Sequence, residues 1–158
     1  MQDSLRDLER ELMLLSRHHI LPAAARRRRA PHLDRSAYLL LSRLEAEGPM
    51  SIGQLAEAFS LDVSTVNRQT AAMLQAGLAE RIPDPDGGLA RKLAITPEGT
   101  RRVAEYREIV LSHLGDLVGD WSPAEVRTFA DMVERLNAGI ETRHGQRVWP
   151  RPARLPAQ

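Results

Sequence analysis

SIGQLAEAFSLDVSTVNRQTAAMLQAGLAERIPDPDGGLARKLAIT, residues 51–96, decides the fold of this chain. Ser51 followed three residues later by Gln54 is a capping box, which predicts a short helix that buries Ile52, Leu55 and Ala56 and ends near Phe59. Asp62 is the expected N-cap of a second helix, running to about Ala76 and stopped by Gly77. Along it Val63, Val66, Thr70, Met73 and Gly77 recur at three and four, predicting one inward face. Ser64, Thr65, Asn67, Arg68, Ala71 and Gln75 then point mostly outward. Leu78–Ile82 and Lys92–Ile95 read as short strands, and PDPDGGLA between them carries the Pro, Asp and Gly of tight or left-handed turns. Helix, turn, helix and hairpin in this order is the sequence form of a winged helix-turn-helix.

Working outward, residues 3–20 predict a helix with Leu5, Leu8, Leu12 and Leu15 on one stripe. Pro22 and Pro31 bracket a connector that holds the basic block Arg26, Arg27, Arg28 and Arg29. Asp34 is placed to cap a helix with apolar positions Tyr38, Leu39, Leu41 and Leu44, ended by Gly48-Pro49. Thr96-Pro97 opens a long helix using Val103, Tyr106, Val110 and Leu117. Ser122 and Glu125 repeat the capping box, with Trp121 and Val126 placed as a hydrophobic staple. Val126, Phe129, Val133, Leu136 and Ile140 then form a heptad-like seam that wants a partner helix. From Gly145 onward, three prolines and no periodicity predict a mobile tail.

The expected fold is therefore mainly α with a small β-hairpin wing (α+β). A winged helix-turn-helix occupies 34–96, helical dimerisation regions 3–20 and 97–143, and a flexible tail 145–158. Three apolar stripes exceed what one small winged domain can cover, which predicts a homodimer. Its two recognition helices, about 34 Å apart, would match successive major grooves.

Composition narrows the function classes. The absence of cysteine excludes disulfides, thiol redox sensing and cysteine-ligated zinc. No apolar run approaches the roughly 20 residues needed to cross a bilayer, and the charged N-terminus lacks a signal-peptide core, so a cytoplasmic protein is expected. A net charge of +1 excludes a uniformly basic coat, but Asp3, Asp7, Glu9 and Glu11 are segregated from Arg26–Arg29 and from Arg91, Lys92, Arg101, Arg102 and Arg107. Such a chain can present one cationic face. No phosphate loop, nucleophile elbow or paired metal signature occurs, so neither an enzyme nor a cofactor is expected. His113 lies on an apolar stripe and reads as an interface residue. The Arg26–Arg29 block reads equally as a solvated loop or as a phosphate-attracting one.

Recognition helices read base edges with short polar or forked side chains: Asn and Gln pair with adenine, Arg bridges the guanine acceptors, and Ser or Thr serve bases or phosphates. Ser64, Thr65, Asn67, Arg68 and Gln69 occupy the first turns, where such contacts fall. Arg81 and Arg91 on the wing are expected to contact mainly the DNA backbone.

Residues 33–103 resemble the multiple-antibiotic-resistance regulator (MarR) family of transcription factors. The resemblance is carried in order by Leu55-Ala56-Glu57, Ser64-Thr65-Val66 with Arg68, Gly77-Leu78-Ala79-Glu80-Arg81, Asp84-Pro85-Asp86 and Ile95-Thr96-Pro97-Glu98-Gly99. With the flanking helices it extends over about residues 3–143. It implies a homodimer joined by its terminal helices and bound to double-stranded DNA at a pseudo-palindromic operator. For many members it also implies release of DNA when a small, often aromatic and anionic, effector binds. One departure concerns the wing tip, where members carry Asp-x-Arg and this chain has Gly87, Gly88 and Leu89. Arg91, two positions beyond, substitutes if the hairpin is bulged or its tip longer. The rival reading is a helical protein-interaction module or anti-repressor that has lost operator binding.

Overall fold

Capping chemistry sets the helix boundaries. The computed structural model describes residues 1–18 and 33–151, so the Arg26–Arg29 block lies outside the described residues. The elements are α1 (Gln2–Arg17), α2 (Arg35–Glu47), α3 (Ile52–Phe59), α4 (Val63–Gln75), β1 (Ala79–Ile82), β2 (Lys92–Ile95), α5 (Pro97–Leu117) and α6 (Pro123–Arg143). The expected helical architecture with a small antiparallel hairpin is the observed one. Asp34 Oδ1 accepts the Ala37 amide at 2.7 Å to start α2. Ser51 Oγ accepts the Gln54 amide at 3.1 Å while Gln54 Oε1 accepts the Ser51 amide at 2.8 Å, completing the first box. The Ser122–Glu125 box at the start of α6 is closed in the same way.

Asp62 departs from expectation. It marks the start of α4, but its side chain makes no capping bond; its carbonyl instead accepts the Thr65 and Val66 amides. At the far end the predicted stop is present, with Gly77 in left-handed backbone at φ 69°.

The core lies between α2, α3, α4, the hairpin and the first half of α5. Leu40, Leu41, Leu44, Leu55, Val66, Met73, Leu93 and Val103 are each 2% exposed or less. Leu40 takes the inward place expected for Leu39, which is half-buried. Tyr38 stacks on Tyr106 with ring centroids 4.3 Å apart, and Arg107 donates to Glu45 at 2.8 Å, fastening α5 to α2. Met50 pairs antiparallel with Leu93 on the other edge of β2, so the hairpin gains a third, single-residue strand just after the end of α2. That single-residue strand has no alternating pattern in the sequence and was not expected.

Among the described residues α1 and α6 bury nothing, and their apolar stripes stand open. Leu111, Leu114 and Leu117 carry the exposed face onto α5. Trp121 meets Phe129 edge to face at 5.6 Å at the start of α6.

The segment after α6 differs from a solvated tail, because Gln146 to Arg151 touch α2, the end of α3 and α6. Proline content pointed to mobility. Here the run is instead tied down at both ends, by Arg147 on Glu47 and by Arg151 on Glu141.

Candidate nucleic-acid interface

Helix α4 is anchored from one side only. Val66, Thr70 and Met73 of α4 are buried, and Thr70 Oγ1 donates to the Val66 carbonyl at 2.8 Å, which satisfies its hydroxyl inside the core. Helix α4 packs against α3 and β1, making helix and wing one body. Val63 is 52% exposed rather than inward, because the first turn projects beyond the core and the buried face begins at Val66. Gly77 is likewise exposed, in the turn after the helix.

Ser64, Asn67 and Arg68 are exposed on that projecting turn and the next, while Thr65 and Gln69 are half-buried at its flanks. The five residues thus share the first half of α4 but not equal access. Arg81 on β1 and Arg91 just before β2 are exposed. Among the described residues Arg68, Arg81 and Arg91 have no ion-pair partner. Other cations of the expected positive face are already engaged. Arg101 and Arg102 bind Glu98, whose carboxyl their guanidiniums lower to about 2, and Arg107 binds Glu45. Sequence reading placed these charges together; the structure divides them into paired and free.

Lys92 is also engaged, and it organises the wing. Its Nζ lies 2.7 Å from Asp84 Oδ1 and 2.8 Å from Asp86 Oδ2, and Asp84 Oδ1 accepts the Asp86 amide at 3.0 Å. Gly87 turns the chain at φ 81°, and a Cβ on Gly88 would stand 2.3 Å from Asp84 Oδ2. The two glycines therefore serve this turn around an ammonium, and Leu89 is left fully exposed beyond it. The hydrogen bond from Lys92 holds the Asp84 carboxyl below its ordinary 3.8, and the two carboxylates hold Lys92 above its ordinary 10.5. The Asp84 contribution is complete above 3.8 and is lost as pH falls through the lowered value. The Lys92 contribution is complete below 10.5 and is lost as pH rises through the raised one. Protection of the Asp86–Arg91 amides, taken as the exchange rate relative to the intrinsic rate at each pH, is thus expected to be flat across neutral pH and to fall at acid pH. A step near neutrality would disprove the clamp.

The join between wing and α5 explains a further motif. Thr96 Oγ1 accepts the Gly99 amide at 3.0 Å and donates to the Gly77 carbonyl at 2.7 Å, while the Thr96 amide donates to the Leu78 carbonyl at 3.1 Å. Gly99 lets that carbonyl approach, since a Cβ there would lie 2.1 Å from it. No group of three or more His, Asp or Glu placed to hold a metal ion occurs among the described residues.

A helix-turn-helix with a hairpin packed on its second helix, and three free arginines on those elements, defines a winged helix-turn-helix protein. The MarR family profile matches residues 33–87. An uncharacterised HTH-type transcriptional regulator of Bacillus subtilis strain 168, YxaD, is 34% identical over 110 residues, which span 70% of this chain and 77% of that protein. The chain belongs to the MarR family of transcriptional regulators. Among solved structures, a MarR family protein from Bacillus stearothermophilus superposes with TM-score 0.72 at 20% identity, over 89% of this chain and 97% of the other. The PcaV transcriptional regulator from Streptomyces coelicolor, solved with its natural ligand, gives TM-score 0.55 at 21% identity over 87% and 91%.

Proposed function

We propose that this regulator is a cytoplasmic homodimeric repressor that binds a pseudo-palindromic operator through α4. The observation that carries the reading is the open first half of α4, where Ser64, Asn67 and the unpaired Arg68 stand free of the core, flanked by Thr65 and Gln69. Forked and amide side chains in this place suit guanine and adenine edges. Arg81 and Arg91 supply phosphate contacts that add salt-dependent affinity. The open stripes of α1, α5 and α6 support the homodimer. Among the described residues no helix is long and apolar enough to cross a membrane.

That PcaV is solved with a natural ligand supports a small effector here too, and the family resemblance implies one of aromatic or anionic character. Its action needs only that it bind one spacing of the two recognition helices more tightly than another.

Fluorescence anisotropy against a pool of fragments from the source genome tests the proposal. Salt-sensitive binding stronger than to random DNA is expected, and Arg68→Ala should reduce specific affinity by roughly 1–3 kcal/mol. A second reading, a protein-interaction module, is favoured by the wing tip, where Gly87, Gly88 and Leu89 replace an arginine motif. That reading prevails if the wild type prefers no fragment and Arg68→Ala retains a protein partner.

A further inference from the structure

Helix α6 buries none of its residues against the winged body, yet the segment after it grips that body near the point where α3 turns into α4. Trp149 meets Phe59, the last residue of α3, edge to face at 5.9 Å. The Arg43 guanidinium covers the same indole at 4.9 Å from the ring centre, and Arg43 is only 1% exposed. Arg43 Nη2 donates to the Val148 carbonyl at 3.1 Å, and Gln146 donates to Ser60 Oγ at 3.2 Å. Ser60 begins the turn and holds left-handed backbone at φ 51°. At the other end Arg151 forks onto Glu141 of α6 with two bonds of 3.0 Å. The segment is therefore fixed to α6 at one end and to α2 and the helix-turn-helix turn at the other.

The ionic part of this attachment is incompletely satisfied. Glu47 is ion-paired with both Arg43 and Arg147, but its oxygens and Arg43 Nε accept or donate no aligned hydrogen bond. A buried ionic cluster that is incompletely hydrogen-bonded has a large desolvation penalty to offset. The aromatic packing of Trp149 on Phe59 and Arg43 must therefore supply much of what holds the segment in place.

We propose that Gln146–Arg151 is a positioning strap that orients the recognition helix relative to α6, with Trp149 and Arg43 as its positioning residues. This rests on the DNA-binding reading above. In a dimer joined through α6, the strap transmits the fixed geometry of the interface to the two α4 helices. Releasing it leaves the dimer intact and reduces the share of molecules with both α4 helices correctly spaced. Apparent affinity falls in proportion to that share.

The test compares wild type, Trp149→Ala and Trp149→Phe on a fragment selected by the wild type. If the competent arrangement drops to about a tenth of the ensemble, Trp149→Ala weakens binding about tenfold at unchanged dimer mass, and Trp149→Phe restores most of it. Because the chain has no cysteine, Ser60→Cys with Gln146→Cys can be joined by a short bismaleimide, which should rescue Trp149→Ala. Wild-type affinity in Trp149→Ala, or no rescue on joining, overturns the strap. Should Trp149→Ala not fold, Arg151→Ala takes its place with the same two outcomes. If the wild type binds no fragment, the DNA-binding reading fails separately, and amide exchange at Phe59–Asp62 judges the strap. Faster exchange in Trp149→Ala supports it; equal exchange overturns it.

Discussion

Replacing Val133 and Leu136 together with glutamate is expected to convert the regulator to a monomer and lower affinity for its selected DNA by roughly 10²- to 10⁴-fold. Both side chains are about two-fifths exposed on α6, at 38% and 40%, and neither belongs to the core of the winged body. Two glutamates facing a second copy would place like charges in an apolar seam, where burial of an unpaired carboxylate is strongly disfavoured. Loss of the dimer removes the intramolecular second half-site contact, and that term is the source of the large factor. Sedimentation equilibrium and anisotropy measure the two effects together. A double variant that remains dimeric would remove α6 from the interface.

Gly99→Ala carries the second large effect, and it acts on stability. The new methyl would stand 2.1 Å from the Leu78 carbonyl oxygen and 2.8 Å from Ile95 Cγ1. Backbone cannot rotate away as a side-chain tip can, and the same carbonyl accepts the Thr96 amide. The join between wing and α5 must shift, with a destabilisation on the order of 3 kcal/mol expected for overpacking. For a chain of this size that lowers Tm by about 10 °C. Gly53→Ala is the internal comparison: its Cβ meets only Ser51 Oγ at 3.8 Å, so helix propensity should leave stability equal or raised by up to ~1 kcal/mol. Calorimetry on the pair decides it. Equal melting temperatures would mean that Leu78 and Ile95 give way freely.

The parts of this fold that were legible in the sequence are those set by local chemistry. Ser51 with Gln54, Gly77, Thr96-Pro97 and Ser122 with Glu125 each act within one turn of backbone, so their spacing alone locates a boundary. Features that depend on distant chain were not legible. Arg43 reads as an ordinary charged position on α2, and its burial follows from Trp149, more than a hundred residues later. Lys92 reads as one more cation beside the hairpin, but Asp84 and Asp86 enclose it once the glycines turn the chain. The candidate interface shows the same division. Periodicity put Ser64, Asn67 and Arg68 outward, while the pairing state of each arginine depends on carboxylates elsewhere on the surface. Val63 erred because three-and-four spacing describes a helix face, not how far the core extends along it.

The open stripes of α1, outer α5 and α6 have a consequence for how this protein holds together. Helices α2 to α4, the hairpin and the start of α5 rest on contacts made within one chain. The outer helices have no buried side chain of their own on α1 or α6, so in the proposed dimer their order is supplied by another molecule. Apart from the Arg151–Glu141 tie on α6, their stability is then a function of protomer concentration, governed by mass action more than by the chain's internal packing. Dilution would loosen the periphery while leaving the winged body folded, and a newly made copy would complete its structure only on meeting a second.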